Sequence, residues 1–198
     1  MRALLLSGGM DSVAIAYWQR PEVAVTIDYG QRPAAGEIRA ASVVAGELGI
    51  RHLVLRLDQL GLLGSGDLAG APKLDIAPKP EWWPFRNQLL VTVAAGAVLP
   101  LGARKLLIGA LRTDGHHVDG RREFVEALSC VLQMQEGNMS LDAPAIDLDG
   151  VELIRKSQIP MSLLAWSHSC HKAEHACGEC GGCRKHYRTF EALGELPY

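Results

Sequence analysis

The chain has 198 residues, 48% of them hydrophobic and 21% charged, and a formal net charge of -2 at pH 7. That is enough apolar material for one core and speaks for a single domain over 1–198. The near-neutral balance removes the broad attraction that draws proteins to nucleic acid or to anionic membranes, leaving a small ligand or a protein as the expected partner. The most apolar stretch, residues 89–101, is broken by Thr92, Gly96 and Pro100 and is too short for a bilayer. The N-terminal leucines run into glycines without a cleavage pattern, so the expected location is cytoplasmic.

Short apolar runs alternate with segments of helical period, the pattern of parallel strands joined by helical crossovers. A strand is expected over 3–6 and a helix over 11–19, then a strand over 23–28 and a helix over 34–48. A strand over 52–57 leads to residues 61–84, rich in Gly, Pro and Asp without periodicity, which read as a long loop or lid ending in Trp82 and Trp83. A helix over 86–99, a strand over 105–109 and a helix over 121–134 follow. The expected class is α/β: a Rossmann-like parallel sheet with right-handed crossovers, helices on both faces, and ligands at the carboxyl ends of the strands.

Between the first strand and first helix stand Leu6-Ser7-Gly8-Gly9-Met10-Asp11-Ser12. A buried strand turning through glycines into a helix start gathers unpaired backbone N–H groups and the positive helix end at one point, which binds anions. Glycine lets backbone approach phosphate, the two serines offer hydroxyls, and Asp11 caps the helix or helps hold magnesium. No lysine follows, which separates this loop from a Walker A loop. A tight turn with an aspartate cap is the plain alternative.

The tail over 166–198 carries Cys170-x6-Cys177-x2-Cys180-x2-Cys183. Four thiolates at this spacing close a tetrahedral zinc site, with an iron–sulfur cluster as the rival. A complete sulfur shell leaves no open position, so such a metal holds the tail as a small knuckle instead of performing chemistry. His168, His171 and His175 stand nearby as surface or supporting groups. Cys130, amid Leu128, Val131 and Leu132, reads as core. Glu37 reads equally well as a solvated face of the second helix. Arg86 and Asn87 open a helix just after the lid, and Asp114, His116, His117, Asp119 and Arg121 follow the strand ending near Gly109, where an open parallel sheet presents its ligand loops.

These residues carry a resemblance. Ser7 to Ser12 resembles the pyrophosphate loop of the PP-loop ATP pyrophosphatases. Asp28-Tyr29-Gly30-Gln31-Arg32, Pro84-Phe85-Arg86-Asn87, Gly109 with Asp114, Asp119-Gly120-Arg121 with Phe124, Ser169-Cys170 and the remaining cysteines follow in the order of the 7-cyano-7-deazaguanine synthase (QueC) family. The resemblance implies an adenine nucleotide alpha hydrolase-like fold, a homodimer, and ATP, Mg2+ and Zn2+ as cofactors. It implies a ligase that adenylates 7-carboxy-7-deazaguanine and passes it to ammonia, giving the amide and then the nitrile. In divergent relatives of antiphage operons the acceptor is a protein amine, and a degenerate nucleotide-binding module is the non-enzymatic alternative; tRNA thiolation is disfavoured by the charge balance. Leu6, Ser7, Gly8, Gly9, Met10, Asp11, Ser12, Asp28 and Tyr29 are implied to bind ATP, and Gln31, Arg32, Arg86, Asn87, Asp114, Asp119 and Arg121 the substrate. Asp11, Ser12, Arg86, Asp119 and Arg121 are implied to be catalytic, and Cys170, Cys177, Cys180 and Cys183 to hold zinc. Pro33, Gly120 and Gly150 depart from the family's histidine, cysteine and lysine, and the loop from Asp114 to Asp119 is one residue short. These departures surround the chemistry and leave the amine acceptor and the nitrile step open.

Overall fold

Five strands form one parallel sheet in the computed structural model, which describes residues 1–196. They are β1 (Arg2–Leu5), β2 (Val23–Asp28), β3 (Arg51–Arg56), β4 (Lys105–Leu107) and β5 (Ser140–Asp142), in the order β3-β2-β1-β4-β5. All four neighbouring pairs run parallel. The helices are α1 (Met10–Gln19), α2 (Ala34–Leu48), α3 (Gly66–Ala69), α4 (Arg86–Val98), α5 (Arg122–Gln133), α6 (Gly150–Ser157), α7 (Met161–Leu164) and α8 (Gly181–Leu193).

β1 is apolar at every position after Arg2 because both faces of the sheet are covered. Ala3 packs with Val91, Ala94 and Val98 of α4 and Val125 and Leu128 of α5. Leu4 and Leu6, pointing the other way, pack with Val13 of α1, Val44 of α2, Leu153 of α6 and Phe190 of α8. This is the expected helices-on-both-faces arrangement. From β1 the chain moves outward to β2 and β3, then returns to β4 on the other side of β1. The loops leaving β1 and β4 therefore diverge, opening a crevice at the topological switch point.

The four expected strands and four expected helices are present, with ends moved by one or two residues. β5 is an addition: it has three residues, too few to show a period. Helices α6, α7 and α8 were not foreseen either. The lid segment is not structureless, since a 3-10 turn (Asp58–Leu63) and α3 occupy its first half. Trp83 is 2% exposed and meets Tyr29 edge to face, with ring centroids 4.9 Å apart, which anchors the end of the segment in the core. Cys130 is a correction: it is exposed. The buried stripe of α5 runs through Val125, Leu128, Ser129 and Leu132, and Cys130 falls beside it. No helix among the described residues is long and apolar enough to cross a membrane.

Candidate functional site: a glycine loop closed by a lysine from the cysteine knuckle

The loop after β1 depends on glycine at one point. Gly8 has φ +80°, and a Cβ there would stand 2.5 Å from the Glu37 carbonyl oxygen of α2. Bare backbone thus lets the loop nest against α2. Gly9 takes the N-cap position of α1 in extended conformation, with no side chain capping the helix. The first N–H groups of α1 and its positive end face the crevice. Two hydroxyls flank them: Ser7 Oγ and Ser12 Oγ lie 3.1 Å apart, and Ser12 Oγ donates to the Gly9 carbonyl at 2.9 Å. Concentrated donors at a helix start suit an anion such as phosphate.

Sequence reasoning missed the cation that closes this site. Lys185 of α8 reaches back across 174 positions, placing Nζ 2.7 Å from Asp11 Oδ2. It stands 3.6 Å from Asp114 Oδ1 as well. Burial raises the Asp11 carboxyl above its ordinary range even though Lys185 opposes the shift. Burial works against the charge on Lys185, but Asp11 and Asp114 outweigh it and raise the ammonium's pKa. Lys185 is therefore a firmly charged group poised over the loop. Gly150 borders the same spot, since a Cβ on it would lie 3.8 Å from Asp11 Oδ1 and 3.6 Å from Thr189 Oγ1. Position 150, where the resemblance implies a lysine, thus lies beside the carboxylate that Lys185 pairs with.

Around the mouth, the expected substrate residues separate into groups. Arg86, at the start of α4, lies among Tyr29, Asp119 and Glu37. Asn87 binds Asp119 twice: its backbone N–H donates to the carboxylate at 3.3 Å and its side-chain amide to the Asp119 carbonyl at 3.0 Å. Asp114 accepts the Leu111 N–H at 3.0 Å, so it shapes its own turn while facing Lys185. Gly120 fits this shortened loop tightly, because a Cβ there would meet the Asp114 carbonyl oxygen at 3.0 Å. Arg121 donates through Nε to the Gly115 carbonyl at 2.8 Å, stapling the loop from outside.

Three residues are engaged elsewhere. Gln31 is 3% exposed, and its amide bonds the Tyr29 N–H, the Ile27 carbonyl and Glu37. Arg32 lies with Cδ 2.9 Å from where a Gly70 Cβ would stand, packed on the end of α3. Asp28 accepts the Gly30 N–H at 3.1 Å and pairs with Arg56 at 3.3 Å. Glu37 is not a solvated residue. Burial lifts its carboxyl to about 7, against the Gln31 amide and the Arg86 charge.

The four tail cysteines converge. Their sulfurs lie within 4.8 Å of one another, with Cys177–Cys183 and Cys170–Cys180 each at 4.0 Å. Sulfurs on one tetrahedral zinc stand about 3.8 Å apart, so the set fits Zn2+ with little movement. Backbone N–H groups of His171 and Cys183 donate to Cys180 Sγ, and that of Lys172 to Cys170 Sγ, all supporting thiolate charge. Cys180 is also the N-cap of α8. Gly182 lies so close to the Ser169 carbonyl that no side chain fits there. The knuckle touches the glycine loop directly, as the His168 N–H donates to the Gly8 carbonyl at 2.8 Å.

The family model for "Queuosine biosynthesis protein QueC" matches residues 2–194. The 7-cyano-7-deazaguanine synthase of Acidobacterium capsulatum is 34% identical over 215 residues, covering 98% of this chain and 94% of its own. That of Chlorobium phaeovibrioides is 32% identical over 208 residues, covering 96% of this chain and 92% of its own. The solved NMN synthetase of Francisella tularensis superimposes with a TM-score of 0.50 at 15% identity, covering 98% of this chain and 77% of that one, a likeness of fold.

Proposed function

Since the chain belongs to the QueC family, we propose that it joins 7-carboxy-7-deazaguanine to AMP and then exchanges the AMP for ammonia. ATP lies across the crevice with its β and γ phosphates on the N–H groups of the Ser7–Ser12 loop and against Lys185. An oxygen of the 7-carboxylate attacks the α phosphorus, the bond to the bridging oxygen breaks, and pyrophosphate leaves on the loop. Ammonia adds to the carbonyl carbon of the acyl adenylate, loses a proton, and expels AMP to give the amide. A second ATP adenylates the amide oxygen; loss of AMP and the remaining N–H protons yields the nitrile, 7-cyano-7-deazaguanine.

The protein's part is placement and charge neutralisation, with no covalent bond to a side chain. Arg86, held among Tyr29, Asp119 and Glu37, faces the acid. Asp119, fixed by Asn87, accepts from the N–H donors of the deazaguanine. Asp11 keeps Lys185 in line with the phosphates. Asp11 would be the protein carboxylate for a Mg2+ ion, which would supply further charge neutralisation. Zn2+ fits the four cysteines and holds the knuckle in place. The single observation that carries the reading is the lysine-free glycine loop at the switch point with Lys185 bridging Asp11 and Asp114.

The test is product analysis with ATP, 7-carboxy-7-deazaguanine and ammonium. AMP, pyrophosphate and a nitrile-sized product appearing together are expected. Neither AMP nor pyrophosphate above the no-acid control would refute the proposal, and AMP without amide or nitrile would move the acceptor from ammonia to another amine.

A further inference from the structure

Glu81, His116 and His117 stand together outside the cysteine cluster, and the sequence gives no hint of it because Glu81 lies 35 positions before His116. Glu81 belongs to the segment anchored by Trp83; the two histidines occupy the turn between Asp114 and Gly120. One ligand atom from each of the three lies within 4.8 Å of the others. His117 Nε2 and Glu81 Oε1 are 3.8 Å apart. That is too far for a hydrogen bond, but close to the spacing of about 3.4 Å between nitrogen and oxygen ligands of one tetrahedral ion.

Each histidine is prepared in its own way. His116 Nδ1 lies 3.1 Å from the Thr113 carbonyl. A proton donated there leaves Nε2 with a free lone pair, the arrangement that metal-binding imidazoles use to fix ring and tautomer. The His117 backbone is pinned on both sides, its N–H donating to the Asp114 carbonyl at 2.9 Å and its carbonyl accepting from Gly120 at 3.0 Å. The residue is 9% exposed, and its Nε2 faces Glu81. The two rings stand with centroids 4.2 Å apart, tilted by 51°.

We propose that Glu81, His116 and His117 form a second metal site, taking a borderline divalent cation of the zinc type. Two imidazoles and one carboxylate suit Zn2+ and its first-row neighbours, whereas Mg2+ prefers an all-oxygen shell. Three protein ligands leave a fourth position for water or for an oxygen of a bound acid or phosphate. The ion also ties the segment carrying Glu81 to the turn carrying Asp114 and Asp119, across the mouth of the crevice. The site stands independently of the adenylation chemistry, because its occupancy is read without turnover.

The experiment measures zinc per chain in the untagged full-length protein after equilibration with buffered Zn2+. The parent is expected to hold two ions, and Glu81→Gln and His116→Ala one each, with unchanged circular dichroism. Replacing zinc by Co2+ assigns the sites. The four-thiolate ion shows strong sulfur-to-cobalt charge transfer, and the second ion adds only weak visible bands, which disappear in Glu81→Gln. Because His117 is buried, its variant is not needed; His116 is exposed and Glu81 is replaced by a near-isostere. A parent that holds one ion overturns the proposal. So does a second ion that survives in both variants, or a second ion with thiolate charge transfer.

Discussion

Lys185 and Asp11 show how much of this site is decided by single side chains that lie far apart in sequence. A lysine in an exposed helix is ordinarily a solvated residue, and here its meaning comes from the two carboxylates it meets, at 2.7 and 3.6 Å. Nothing near position 185 announces this, because the contact depends on how α8 lies over α6. The glycines, serines and Asp11 of the loop were legible, since a strand, glycines and a helix start place donors together whatever the rest of the chain does. Glu37 was legible only as a position, and its behaviour follows from burial. Its carboxyl is lifted to about 7, against an ordinary value of about 4.3 in the unfolded chain. Between these values the folded state holds more protons, so this group's contribution to stability falls as pH rises through that window and is flat above it. Glu37→Gln keeps an acceptor for Gln31 and removes the titration. Its thermal midpoint is expected to drop less than the parent's between about pH 5 and about pH 8; parallel drops would show that Glu37 is not held protonated.

At the level of elements, the knuckle reaches the glycine loop through α8 and is more than a terminal staple. α8 begins at Cys180, one of the four cysteines, and carries Lys185 just over one turn later. Zinc held by the cysteines would fix the start of α8 and with it the lysine beside the loop, and the His168 bond to Gly8 adds a second tie. Chelating the zinc and replacing Lys185 with alanine are therefore expected to weaken ATP binding similarly, by about 10- to 100-fold, the range for losing a hydrogen bond to a charged group. Combining them should weaken it little further. Calorimetry with zinc-loaded and zinc-free protein measures this; equal ATP affinity in both forms would uncouple knuckle from loop. The cysteine spacing made the metal site legible, and α6 and α8 were legible in principle, since α6 opens on a capping box of Asp149 and Glu152 and both helices carry an amphipathic face; only α7, of four residues, is too short to show a period. β5 was hidden for a similar reason: Ser140-Leu141-Asp142 has one buried residue between two partly exposed ones and becomes a strand by pairing with β4.

Across the whole molecule, sheet order does the positioning. β1 sits at the centre, with β2 and β4 on its two sides, so its outgoing loop lies where neighbouring connections part and a ligand can enter. The α/β class and both helical layers were readable, because buried parallel strands leave near-continuous apolar runs between amphipathic segments. The strand order itself was not, since it depends on which crossover returns past β1. That order brings the loops after β1 and β4 to one end of the sheet, and the packing of α8 on α6 adds Lys185 to them. The most direct test is a crystal structure with a non-cleavable ATP analogue. The β and γ phosphates are expected within hydrogen-bond reach of the Met10 to Ser12 N–H groups and of Lys185 Nζ. A triphosphate bound elsewhere, with that loop still bare, would contradict the account.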